Sequence, residues 1–289
     1  MVSSLAFPLL VTLAIAAMAT SAHRRLPPKL ATRFVTVALV LVVVAALPTA
    51  LVIAVAFLGH APVIGIGFEW CAQAIGFHGS VPAWLGVPIV GLLGIGAVRT
   101  IRLVREHRAL RLDEAHPIHI AESHKPYAVT LPGRAGQIVL STAMVDLLDD
   151  EERRIVVAHE QAHARYRHDR YLLTAELAAA ALPPLRAMTR RVTYSIERWA
   201  DEAAAAACGD RELVAITLGK VALRTNLPTV AGFACLGVAS RMGALLEPPI
   251  PTPHRAQLAM LWTTLVVAGG FSVYQLHHLE RLVTALCPH

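Results

Sequence analysis

His159, Glu160 and His163 stand in the order His-Glu-x-x-His, and with His168 they place three of the chain's 14 histidines within ten positions. On a helix, residues four apart lie on one face, so His159 and His163 can reach the same small cation. Neutral imidazole is a good zinc donor. Glu160 is one residue past the first histidine, about 100° round a helix. It can flank a metal without occupying the same coordination position. That is where a general base for a water polarised by the metal would stand. A catalytic zinc site of this kind needs a third protein ligand and leaves its fourth position to water. His168, five residues past His163, is turned about 140° from the ligand face. It is therefore read as supporting the site or lying on the surface, not as a ligand.

The elements that would hold these residues can be read on either side. Asp149 followed by Glu152 fits a helix N-cap with its capping-box acid, and Glu151 also favours the first turn. The helix then runs through the His-Glu-x-x-His motif. Upstream, residues 126–142 consist of two short runs rich in Val, Ile and Thr around Pro-Gly-Arg-Ala-Gly, which predicts a β-hairpin. Downstream, residues 192–210 form a second helical stretch, with Glu197 and Asp201 one turn apart. Glu202, one step further round, is read as solvated. Residues 171–182 are apolar but stop at Pro183-Pro184, too short to span a bilayer, so they predict a buried or interfacial helix. Glu176 within them is read as a local pairing partner.

The rest of the chain is oily. Of 289 residues, 55% are hydrophobic and the mean hydropathy is +0.55. That excludes an ordinary soluble domain. Four apolar segments, 4–22, 34–59, 81–98 and 258–276, are each near the roughly 20 residues that cross a hydrocarbon core. In segment 4–22 the charges Arg24 and Arg25 follow the apolar run, the reverse of a secretory leader. The net charge is +6, and all but three of the 26 basic residues are arginine. Many flank the apolar runs, so they read as topology signals, and no direct nucleic-acid binding is expected. Loop 23–33 is basic, loop 60–80 has no Lys or Arg, and Arg99, Arg102, Arg105, Arg108 and Arg111 follow the third run. The positive-inside rule then puts 23–33 and about 99–257 in the cytoplasm, with both termini and 60–80 outside. Cys71 and Cys287 would share the oxidising side, where they could form a disulfide. Cys208 and Cys235 would lie inside.

The segments Ile155–Tyr171 and Ile196–Ala204, with the hairpin before them, resemble the integral-membrane gluzincin zinc metallopeptidases. Two families are similar: peptidase family M56, of the BlaR1/MecR1-like β-lactam sensor-transducer type, and the Ste24/HtpX-like family M48. The resemblance covers residues 120–210 well and the spans only by layout, which is closer to M56. It implies a mainly α polytopic protein with four transmembrane helices. A cytoplasmic zincin-like α+β metalloprotease domain would carry a small sheet. Residues 1–103 would hold three spans, 104–257 the catalytic domain, and 258–289 the fourth span and a short outer tail. It implies one Zn²⁺ on His159, His163 and Glu197, with Glu160 as general base. Asp201 would hydrogen-bond a ligand histidine, an interaction that fixes the tautomer and raises basicity. Ala128, Val129, Thr130 and Leu131 would form the edge strand that pairs with an extended substrate. His254 and Arg255 fall roughly where M48 members carry a downstream motif. A cation there could stabilise an oxyanion. An arginine marking the end of the fourth span explains them equally well.

The expected reaction is hydrolysis of peptide bonds in a cytoplasmic or membrane-proximal protein. By M56 analogy the substrate is a transcriptional repressor in a signalling system. By M48 analogy the protein is a quality-control protease for damaged membrane proteins. Within these 289 residues nothing after the fourth span could be the penicillin-binding sensor of the β-lactam transducers. From another class, a signalling scaffold with a structural zinc site has no use for Glu160. A transporter disagrees with spans whose centres lack ionisable residues. The lipid bilayer is an expected partner, and a homo-oligomer is compatible with the sequence.

Overall fold

The computed structural model describes residues 2–59, 81–109, 118–132, 136–225 and 232–284. Cys71 and Cys287 lie outside them, so the expected disulfide does too.

The chain opens with two long helices, α1 (Val2–Ala22) and α2 (Pro28–Gly59). Pro28 is the first residue of α2, where its missing N–H leaves no bond unmade. The third, α3 (Ala83–Ala109), carries the apolar 81–98 run and its arginine-rich continuation on one helix. Three stretches, Pro28–Gly59, Ala83–His107 and Arg255–Tyr274, are long and apolar enough to cross a membrane. The last lies in α10 (Arg255–Thr284). The first expected span is also helical, as α1, and packs on α2 and α10. Three of the four expected spans therefore meet that criterion among the described residues. Large apolar side chains face outward along these helices, including Val40 and Leu51 of α2, Trp84 and Val87 of α3, and Met260 and Val266 of α10. Exposed apolar surface on this scale suits contact with lipid.

Between α3 and α10 comes a three-stranded sheet of β1 (Ile118–Ala121), β2 (Ala128–Thr130) and β3 (Ile138–Ser141), in the order β1-β3-β2. β2 and β3 are the expected hairpin, antiparallel with Val129 opposite Val139. β1 is an addition, parallel to β3. Helices α4 (Thr142–Leu147), α5 (Asp150–Tyr166), α6 (His168–Ala181) and α7 (Arg186–Cys208) follow. A turn of 3₁₀ helix, Pro183–Leu185, joins α6 to α7. Helices α8 (Arg211–Arg224) and α9 (Gly232–Leu246) then lead to α10.

The main core runs across the expected boundaries at 103/104 and 257/258. Ala16 of α1, Phe34 and Leu39 of α2, Ala175 of α6, Val192 and Ile196 of α7 and Leu265 of α10 are buried together. The glycine-rich third run has a matching role. A Cβ on Gly96 would collide with the carbonyl oxygen of Ala181, so glycine lets α3 close against the end of α6. Helices apolar enough to span are thus packed directly on α6 and α7, and α7 in turn packs on α5, which carries the motif.

Candidate active site

Helix α5 starts where the sequence predicts. The Asp149 side chain accepts from the N–H groups of Glu151 and Glu152, and Glu152 Oε2 accepts from the Asp149 N–H at 3.0 Å. Glu152 also takes Lys220 of α8 as a partner, at 2.5 Å. Ile155 and Ala162 are buried on the inward side of α5, and Ile155 sits in a cluster with Ala204, Val214 and Leu245. That packing presses α5 against α7 and fixes which face of each helix meets the other.

The structure brings His159, His163 and Glu197 together. One donor atom from each lies within 4.8 Å of the others. The two Nε2 atoms are 3.1 Å apart, and the Glu197 oxygens are 3.6 Å from His159 Nε2 and 3.8 Å from His163 Nε2. Two nitrogens bound tetrahedrally to zinc at 2.0–2.1 Å would be about 3.3 Å apart. The donor set therefore fits zinc, with small inward movement of the carboxylate.

Each histidine uses its other nitrogen to hold its ring. His159 Nδ1 is 3.1 Å from Asp201 Oδ1, so Asp201 accepts the Nδ1–H and leaves Nε2 for a cation. His163 Nδ1 is 3.1 Å from His168 Nδ1. His168 is fully buried against Trp199 and Tyr166. That removes the surface alternative for His168.

Glu160 is 9% exposed. The Thr130 hydroxyl lies 2.7 Å from its Oε2 and 2.9 Å from its backbone oxygen. A residue expected as part of the β2 edge thus also touches the Glu160 carboxylate.

Sequence reasoning missed Arg241. From α9 its Nε and Nη2 each bond Asp201 at 2.7 Å, and its Nη1 is 3.0 Å from Glu197 Oε2. A signal was present: Arg241 is the one charged residue between Arg224 and Glu247. A lone charge in an apolar helix needs a buried partner. His254 and Arg255 open α10, where the His254 N–H donates to Gln257 Oε1. Neither lines the cavities at the site, and the cation next to the carboxylates is Arg241. Glu202 is a correction. It is not solvated but held by Arg211, whose Nη2 donates to Oε1 at 3.1 Å, with Arg198 at 3.6 Å.

The electrostatics follow from this packing. Burial alone would lower the His159 imidazole, but its bonds to Asp201 and Glu197 raise it to about 10. Burial pushes the Glu197 carboxyl up, yet His159 and Arg241 hold it far below the usual carboxylate range. Asp201 is likewise depressed against its burial, by Arg241 and then His159. Burial lowers His163, and burial with the neighbouring His163 lowers His168 to about 3. Two anionic carboxylates thus face the two imidazoles, with Arg241 beside both.

Two cavities open on this group. One, of about 560 Å³, is mostly apolar, with Met144, Val156, Val214, Leu218 and Val221 in its wall. The other, of about 420 Å³, is more polar and includes His107, Arg167, Asp169 and Glu176. Burial pushes the Glu176 carboxyl up, against the pull of His107. Ala128, His159, Glu160 and Glu197 line both cavities, so together they form one trough across the donor atoms. Strand β2 is at its rim. Leu131 N–H donates to Gln137 and Ser141 N–H to Tyr127, so odd-numbered residues bond β3. The backbone groups of Ala128 and Thr130 therefore point to the free edge. Leu131 lies just past the strand.

Comparison with curated proteins and comparison with solved structures each give no significant match. The family description Peptidase family M48 matches residues 102–183, which include the sheet, helix α5 and the His-Glu-x-x-His motif. Glu197, Asp201 and Arg241 fall beyond it. With that match over the motif, the chain is a zinc metallopeptidase, similar over this segment to family M48.

Proposed function

We propose that the protein is a membrane-bound endopeptidase that cuts extended segments of proteins close to the bilayer, with the M48 type as the nearer analogy. The observation that supports this is the open β2 edge beside three convergent metal ligands and a buried carboxylate. His159, His163 and Glu197 would hold one zinc ion, and Asp201 orients His159. When bound, zinc polarises a water molecule and the scissile carbonyl. An extended substrate bonds to the backbone of Ala128 and Thr130 and lies along the trough. Thr130 holds Glu160 in place. Glu160 takes the proton of the attacking water and returns it to the leaving amine. The cytoplasmic placement of the site rests on the distribution of arginine around the apolar helices.

The M48 match and the trough, open along β2, favour a protease of broad use, such as one that clears damaged membrane proteins. Cleavage of a single repressor, the M56 analogy, has only the layout of the spans behind it. Purified Glu160→Gln protein is expected to bind one zinc per chain and to leave an unfolded test protein intact, while the wild type cuts it at several positions. Cleavage by Glu160→Gln at the wild-type rate would remove Glu160 from the mechanism. Comparing the proteomes of cells with either form separates the substrate readings. Many membrane proteins accumulating supports quality control, and a single transcriptional repressor accumulating supports signalling.

A further inference from the structure

His168 presents an anomaly. Its side chain is fully buried, and among the described residues its Nε2 has no hydrogen-bond partner and its Nδ1 meets one group only, Nδ1 of His163. The slot is otherwise aromatic, with Trp199 at 4.8 Å and Tyr166 at 5.9 Å between ring centroids. An apolar side chain would fill such a slot without leaving a polar atom unsatisfied. The orphaned nitrogen costs about 1–3 kcal/mol.

A second local cost points to the same bond. Arg167, between α5 and α6, has φ 55°, and is the one non-glycine residue with positive φ among the described residues. That left-handed conformation costs roughly 1–2 kcal/mol in a residue with a Cβ. Had α5 continued, His168 would project about 140° from His163. The break at Arg167 instead brings His168 behind the His163 ring.

We propose that His168 is a positioning residue for the metal ligand His163, its Nδ1 accepting the His163 Nδ1–H so that His163 Nε2 is kept bare and aimed at the cation. This rests on the zinc reading given above. If His163 offers Nε2 to a metal, its only ring proton is on Nδ1. The atom 3.1 Å away must then be an acceptor, so His168 carries its own proton on Nε2, the orphaned atom. The two ligands are thus supported unequally. His159 has the anionic Asp201 behind it, and His163 has a neutral imidazole. His159 already has two carboxylates beside it, Asp201 and Glu197, each paired with Arg241. A neutral acceptor behind His163 adds no further negative charge.

The test uses the purified full chain in detergent and reads zinc affinity by chelator competition, not activity. His168→Phe keeps the ring shape and removes the acceptor. It is expected to weaken zinc binding about 10–100-fold, the usual effect of losing a ligand's supporting partner. His168→Asn puts its Oδ1 acceptor where Nδ1 stood and is expected to recover most of that loss. A His168→Phe affinity equal to wild type, or a His168→Asn affinity no better than His168→Phe, overturns the proposal. If the wild type itself binds no zinc, the metallopeptidase reading falls and takes the proposal with it. A second measurement needs no variant. Imidazole ¹⁵N shifts of the zinc-loaded wild type are expected to show His168 protonated on Nε2 only, and protonation on Nδ1 overturns the proposal whatever the variants do.

Discussion

Arg241 and Asp201 form a two-pronged ion pair between α9 and α7, with both N–O distances at 2.7 Å and both side chains nearly enclosed. Asp201 has His159 on its other side. The arginine therefore neutralises the carboxylate that holds the His159 ring, and ties α9 to the site. Removing one partner of a buried pair leaves the other charged and unpaired, at a cost of about 3–5 kcal/mol. Arg241→Gln is expected to lower the thermal midpoint of the metal-free protein by several degrees. Arg241→Lys, which keeps the charge and loses the fork, is expected to fall between the two. Thermal unfolding in the presence of a chelator checks both.

Thr130 and Glu160 are joined across the boundary between sheet and helix by a 2.7 Å contact. Thr130→Val is close in shape and deletes only the hydroxyl. It is expected to leave zinc content and β2 unchanged while lowering kcat about 10–100-fold, because Glu160 is left free to rotate away from the water. Kinetics on a peptide substrate, with zinc measured on the same sample, give the answer. A fall in zinc content instead would mean that Thr130 supports the fold of the site, not the base.

The part of this site that could be read from sequence is the part built by local rules. The capping acids at Asp149 and Glu152, the spacing of His159 and His163, the hairpin around β2 and the one-turn spacing of Glu197 and Asp201 each depend on neighbours in the chain. Arg241 and Lys220 come from helices that meet α5 and α7 only in three dimensions. No period in the sequence ties them to the motif. Strand β1 was missed because four residues, Ile-His-Ile-Ala, are too few to show a pattern. They become a strand by pairing with β3. Glu202 reads as a surface acid until Arg211 folds onto it. The spans showed clearly as apolar runs. Their sharing of one core with α6 and α7 did not, since either a lipid-facing or a protein-facing residue can be Val or Leu.

Gly136 closes the hairpin against the motif helix. Its φ is 59°, and a Cβ there would stand 2.6 Å from the Ala164 Cβ. Both the backbone conformation and the contact exclude a larger residue. Gly136→Ala is expected to push β2 away from α5 and so separate Thr130 from Glu160. Loss of kcat comparable to Thr130→Val, together with a lower thermal midpoint, is the outcome to look for. An unchanged midpoint would show that the hairpin has room to move.

Zinc removal should be felt in stability as well as catalysis. His159, His163 and Glu197 belong to two helices, α5 and α7, and a shared cation would tie them together. A ligand bound only by the folded state adds stability by mass action, about 2.7 kcal/mol when present at 100 times its dissociation constant. The wild type is expected to lose several degrees of thermal midpoint on chelation and to regain them with added zinc. Glu197→Ala is expected to show almost no difference between the two conditions, since its ligand set is incomplete. Glu160→Gln is expected to behave as the wild type, because the base is not a ligand. That combination separates the residues that hold the metal from the one that uses it. A chelator response that persists in Glu197→Ala would put the third ligand elsewhere.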